Sequence, residues 1–148
     1  MTTVGFYHLL HWPLEKALPK LLEKALERGH RAIVLAGSQE RVEDLNNVLW
    51  TYDDRSWLPH GSSSDGLPGE QPIFLTIDDE NPNGADVLVA VDGREPAVAG
   101  GFARIIDLFD GRDAAMVAAA RQRWRRYLDQ GLELTYWQQT ETGGWEKK

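Results

Sequence analysis

Cysteine is absent from this chain, and with it go disulfide staples, thiolate metal sites and a thiol nucleophile. Also missing is any apolar run near the roughly 18 residues that a membrane span requires, and no charged-then-apolar leader is present. A soluble, cytoplasmic protein with no membrane contact is the expectation. Histidine is scarce, at four residues. His8 and His11 could share one side of a metal, but no third ligand stands at a recognisable spacing, so no metal site is expected. The fingerprints of nucleotide binding are missing too. No G-x-x-x-x-G-K-[ST] occurs, and the first apolar run leads into HWPLEK rather than a glycine-rich turn. Asp78, Asp79 and Glu80 fall in the turn sequence DDENPNG, and Ser62–Ser64 lacks a nucleophile elbow or a base. Neither a catalytic residue nor a cofactor is expected.

What is present suffices for one domain. A chain of 148 residues can bury roughly 70% of its unfolded surface without staples. Its formal charge of −7 opposes long-range attraction of nucleic acid. Arg121, Arg123, Arg125 and Arg126 contribute +4 to that figure, which leaves −11 on the rest of the chain. A local basic patch on an acidic body favours a small anionic partner over a long polyanion.

Periodicity then orders the chain. Val4–Leu10 reads as a buried strand, and apolar steps of three and four from Leu14 to Leu26 read as an amphipathic helix. Pro19 should kink that helix or weaken its early turns. Arg31–Ala36 is a second strand, and Ser38 caps a helix that runs to about Trp50. Residues 51–71 are polar and loop-like, apart from Trp57, Leu58 and Pro59. Further strands are expected at Ile73–Ile77, Val87–Val91, Phe102–Phe109 and Leu132–Gln138, with 139–148 a loose tail apart from Trp145. The alternation predicts one α/β domain over 1–148, its sheet parallel-dominated or mixed and flanked by helices, Rossmann-like without a nucleotide site.

The stretch from Asp113 to Gly131 concentrates the functional signal. On a helical wheel Met116, Val117, Ala120, Trp124, Tyr127 and Leu128 gather on one face. Arg121 and Arg125 fall one turn apart on one margin, Arg123 on the opposite margin, and Arg126 points to solvent. An edge with two guanidinium groups beside Val117, Trp124 and Leu128 suits an acidic peptide ending in an apolar side chain. Single-stranded nucleic acid is the rival ligand, and a small nucleotide-dependent α/β enzyme a third reading. Trp50, Trp57, Leu58 and Pro59 form a second candidate surface, an apolar patch for a protein partner.

The sequence resembles the chi subunit of the bacterial DNA polymerase III holoenzyme. The resemblance rests on the FYHLL strand, NNVLW at a helix end, WLPH before a glycine-rich loop, ADVLVAV, IIDLFDG and AARQRWRRYLDQG, in the family's order. It implies a non-catalytic, clamp-loader-associated protein that bridges single-stranded DNA-binding protein to the replisome. It further implies a grip on that protein's acidic, phenylalanine-terminated tail, with DNA contacted mainly indirectly. The family's key arginine falls on Arg121, and its aromatic and basic neighbours on Trp124 and Arg125. Some members carry a lysine one turn earlier, where this chain has Val117. Aromatic residues of the family's other surface, which binds the psi subunit or a helicase, match Trp50 and Trp57.

Overall fold

Alternation in the first strand organises the molecule. Within β1 (Thr3–Leu9), Val4, Phe6 and His8 face one side, while Gly5, Tyr7 and Leu9 face the other. The computed structural model describes residues 2–53, 58–62, 65, 67–97 and 99–148. The remaining strands are β2 (Ala32–Leu35), β3 (His60–Ser62), β4 (Ile73–Thr76), β5 (Val87–Ala90), β6 (Arg104–Asp110), β7 (Glu133–Gln139) and β8 (Trp145–Lys147). They form one sheet in the order β3-β4-β2-β5-β6-β1-β7-β8. Every pairing is parallel except β7 with β8, as the predicted parallel-dominated or mixed sheet required.

The helices are α1 (Leu14–Glu27), α2 (Gln39–Thr51) and α3 (Ala114–Asp129). Ala17, Leu18, Leu21 and Leu22 of α1 and Val42, Leu45 and Leu49 of α2 join the Tyr7–Leu9 side of the sheet in one core. Ala120 and Tyr127 of α3 join Val4, Phe6, Ile105 and Phe109 in a second core on the other side. Over β2, β4 and β5 that second side is closed by loop residues, including Ala85, Ala99 and Phe102. Among the described residues α3 is the only α-helix that contributes to this second core, over the β6-β1-β7 end of the sheet.

Helix ends follow their sequence signals. The Ser38 hydroxyl accepts from Arg41 N at 3.1 Å, and the Asp113 carboxylate from Ala115 N at 2.9 Å and Met116 N at 3.3 Å. Gly29 and Gly131 take left-handed φ values of 81° and 77° just past α1 and α3. That lets His30 N reach Ala25 O at 3.0 Å and Leu132 N reach Tyr127 O at 3.3 Å, closing both helices in the same way.

Helix α1 continues through Pro19, which is buried. Two expectations change. Residues 139–148 are no loose tail: β8 pairs with β7, and Trp145 packs edge-on against Tyr7 at 4.9 Å. The polar connector contains β3, and Leu58 is only 3% exposed within the α1–α2 core. Both unforeseen strands have three residues, too few for a period of two to register.

Candidate functional site

Helix α3 carries its four arginines to three different ends. Arg123 is 2% exposed and donates from Nε and Nη2 to both carboxylate oxygens of Asp107 in β6, at 2.6 and 3.0 Å. The expected place on the margin opposite Arg121 gave no sign of this burial. Asp107 stands at the middle of an apolar strand and needs a buried cation, because burial raises its carboxyl toward neutrality and only the paired guanidinium opposes this. Arg126 is half exposed, as expected, yet it is held by Glu95, with Nη2 to Oε1 at 2.6 Å. Arg121 and Arg125 are exposed, and neither has an ion-pair partner among the described residues.

These two free cations border an open cavity of about 450 Å³. Phe6, His8, Phe109 and Tyr136 contribute its sheet wall, and Val117, Ala120, Arg121, Trp124 and Arg125 its helix wall. The floor is an edge-to-face aromatic lattice. Phe6 lies 5.2 Å from Trp124, 6.4 Å from Phe109 and 6.0 Å from Tyr127, and Trp124 lies 6.4 Å from Tyr136. Four of the five residues singled out on α3 thus meet at one cavity. Leu128, the fifth, is 56% exposed and stands outside its lining.

The sheet wall was not foreseen. His8 Nδ1 is hydrogen-bonded to the Tyr136 hydroxyl, and a Cβ at Gly111 would collide with the His8 ring. Burial pushes the imidazole below its ordinary value, and the Arg121 charge pushes the same way against the Gly111 backbone and Asp110. A neutral histidine therefore stands behind a free guanidinium. The register gives the missed signal, since His8 pairs with Phe109 and Phe6 with both Asp107 and Tyr136. Only the strand order β6-β1-β7 brings these residues to one wall.

At the second candidate surface Trp50 is 55% exposed at the end of α2, its ring 4.6 Å from that of His60. Pro59 is half-buried, and Trp57 lies outside the described residues. Leu58 belongs to the core and offers no surface contact, a correction to the four-residue patch. What remains described there is one exposed indole braced by a histidine.

The tip of β1 explains the nucleotide-like fold without a nucleotide site. Leu10 N, His11 N and Trp12 N all donate to Gln139 Oε1, at 3.2, 2.8 and 2.8 Å. In dinucleotide-binding folds the turn after this strand offers its amides to phosphate. Here a side chain of β7 occupies them. Among the described residues no group of three or more metal-ligating side chains gathers, and no helix is long and apolar enough to cross a membrane.

Comparison with known proteins finds relatives over most of the chain. The family model of the DNA polymerase III chi subunit, HolC, matches residues 1–135. A probable DNA polymerase III subunit chi of Rickettsia prowazekii is 36% identical over 91 residues, which is 62% of this chain and 55% of that one. The chain thus spans just over half the length of that relative. The DNA polymerase III subunit chi of Pseudomonas aeruginosa is 26% identical over 137 residues, covering 90% of this chain and 94% of its own. The Escherichia coli subunit is 20% identical over 122 residues, 82% of each chain.

Proposed function

This chain belongs to the DNA polymerase III chi subunit family, and we propose that it is a non-catalytic accessory subunit whose α3 cavity holds the acidic C-terminal tail of single-stranded DNA-binding protein. In this role it bridges that protein to the replisome in DNA replication and contacts DNA mainly through it. The observation carrying the reading is the pair Arg121 and Arg125, without an ion-pair partner among the described residues, on the rim of an aromatic-floored cavity. An apolar side chain enters over Phe6 and Trp124, and the terminal carboxylate meets Arg121 through two parallel N–H bonds. Arg125 and the neighbouring surface receive the acidic residues that precede it. Val117 leaves that stretch without a third cation.

Titration of a labelled tail peptide against the wild type and Arg121→Ala tests the assignment. The variant should bind about 2 kcal/mol more weakly, close to thirtyfold, as at an interface hot spot. Equal affinities would sink it. Added salt should weaken the wild-type complex without abolishing it, because the apolar anchor is not screened.

A second surface supports the partner reading. Trp50, exposed and backed by His60, suits the psi subunit or a helicase, since tryptophan is a preferred interface anchor. Trp50→Ala should abolish capture of that partner while leaving tail binding intact.

A further inference from the structure

The sheet end that presents the α3 cavity on one side has a second concavity on the other. It measures about 420 Å³ and lies between the C-terminal half of α1 and strands β1, β6, β7 and β8. Its wall is aromatic: Tyr7 and Trp137 stack at 5.9 Å with an interplanar angle of 16°, and Trp145 meets Tyr7 edge-on at 4.9 Å. Around these rings stand Lys24, Arg28 and Arg104. The Arg104 guanidinium lies 5.9 Å from the Tyr7 ring and donates to the Tyr7 hydroxyl at 2.5 Å. None of the three cations has an ion-pair partner among the described residues, and no carboxylate lines the cavity. His30, also at this cavity, is hydrogen-bonded to Asp86.

A helix C-terminus favours cations nearby, which accounts for Lys24 and Arg28 taken singly. Arg104 comes from β6 and borders the same space. Three unneutralised cations around stackable rings are unexpected on a chain of net charge −7. They differ from the α3 cavity in kind. There an apolar floor has two cations on its rim, whereas here polar and charged groups interrupt the wall throughout. A peptide with an apolar end suits the first; a ligand that alternates flat rings with anionic links suits the second.

We infer that the α1-side cavity, formed by Lys24, Arg28 and Arg104 around Tyr7, Trp137 and Trp145, binds a short stretch of single-stranded nucleic acid. A base stacks in the aromatic wall and the flanking phosphates meet the three cations. The cavity falls within the volume of small-molecule sites, roughly 300–1,000 Å³, so it holds about one nucleotide. The acidic remainder of the chain keeps the footprint short. The contact is independent of the tail-binding reading, because it uses the opposite side of β1.

The test is fluorescence anisotropy of a short labelled oligothymidylate with the full chain at low ionic strength. Lys24 and Arg28 are exposed, so the double variant Lys24→Ala/Arg28→Ala leaves the core untouched. Wild type should bind with a log–log salt slope of about −2, as for three phosphate contacts. The α1 double variant should bind about tenfold more weakly, with a slope near about −0.7. The charge-matched variant Arg121→Ala/Arg125→Ala should bind like wild type, while Lys24→Ala/Arg28→Ala should hold the tail peptide normally. Absence of binding at low salt would overturn the inference, as would loss on the α3 variant in place of the α1 variant. Equal competition by deoxythymidine monophosphate would reassign the cavity to free nucleotides. Displacement by the acidic tail peptide would make it a peptide site.

Discussion

Arg121 and Arg123 stand two residues apart on α3 and do opposite things. Arg123 turns inward and closes a buried pair with Asp107, whereas Arg121 turns outward and meets no carboxylate among the described residues. The same division recurs one turn on, where Arg126 is held by Glu95 and Arg125 is free. One edge of the helix is thus neutralised by the fold and the other left charged beside a cavity. Residue type alone does not distinguish a structural arginine from a binding one; the partner does.

The comparison breaks most visibly at Arg123. Arg123→Ala strands the Asp107 carboxylate in the core and should cost about 3–5 kcal/mol of folding stability. Chemical denaturation measures this directly. Replacing the pair together, as Arg123→Met with Asp107→Leu, should recover most of that loss, since two apolar groups leave no buried charge. If the single variant unfolded at the wild-type midpoint, Arg123 would not be the structural member of the set.

That pair also marks where the sequence could be read and where it could not. Helices α1 and α3 were legible because their apolar positions repeat over 14 and 16 residues and their ends carry Pro13, Asp113, Gly29 and Gly131. Val117, Arg121, Trp124 and Arg125 were legible together because one helix edge lines them up without tertiary information. The wheel placed Arg123 on the margin opposite Arg121 but could not show that it is buried there against Asp107. The signal for it, an aspartate inside the apolar run IIDLF, lay 16 residues earlier and named no partner. Phe6, Phe109 and Tyr136 were beyond reach, since their convergence depends on β1 lying between β6 and β7. Leu128 shares the wheel position of the cavity residues, but it sits about 4.5 Å further along the axis than Arg125, past the cavity's end.

Arg121→Ala is the converse of Arg123→Ala. It should leave stability within about 0.5 kcal/mol of wild type, because among the described residues the exposed Arg121 side chain has no ion pair to lose. Its cost of about 2 kcal/mol should fall on tail-peptide affinity alone. Measuring both quantities for both variants turns the contrast into a two-by-two test. Equal stability losses would erase it.

Arg126→Ala should have a smaller effect. Its pair with Glu95 is half exposed, and such pairs contribute about 0–1 kcal/mol. The loss should shrink further as salt is raised, whereas the Arg123 loss should persist. Thermal melts at two ionic strengths separate them. A salt-independent loss at Arg126 would mean that it belongs with Arg123, as a desolvated structural cation.

The finest probe of the division is His8, which feels the free arginine through space. Burial is the larger cause of its lowered pKa, and the Arg121 charge adds to it. Removing that charge in Arg121→Ala should move the imidazole part of the way back toward 6.5, with burial still holding it below. The sign for stability follows from proton uptake. Below pH 6.5 the unfolded chain binds a proton that the folded His8 resists, so this contribution is full above 6.5 and is lost as pH falls through the folded value. Arg121→Ala should therefore shift the acid side of the stability profile slightly upward in pH-matched comparison, with no change at higher pH. Following the His8 ring resonance against pH in both proteins reads the shift directly. An unchanged titration would mean that the Arg121 charge is screened from the cavity floor, and that the open edge of α3 is less exposed to its own cations than its geometry implies.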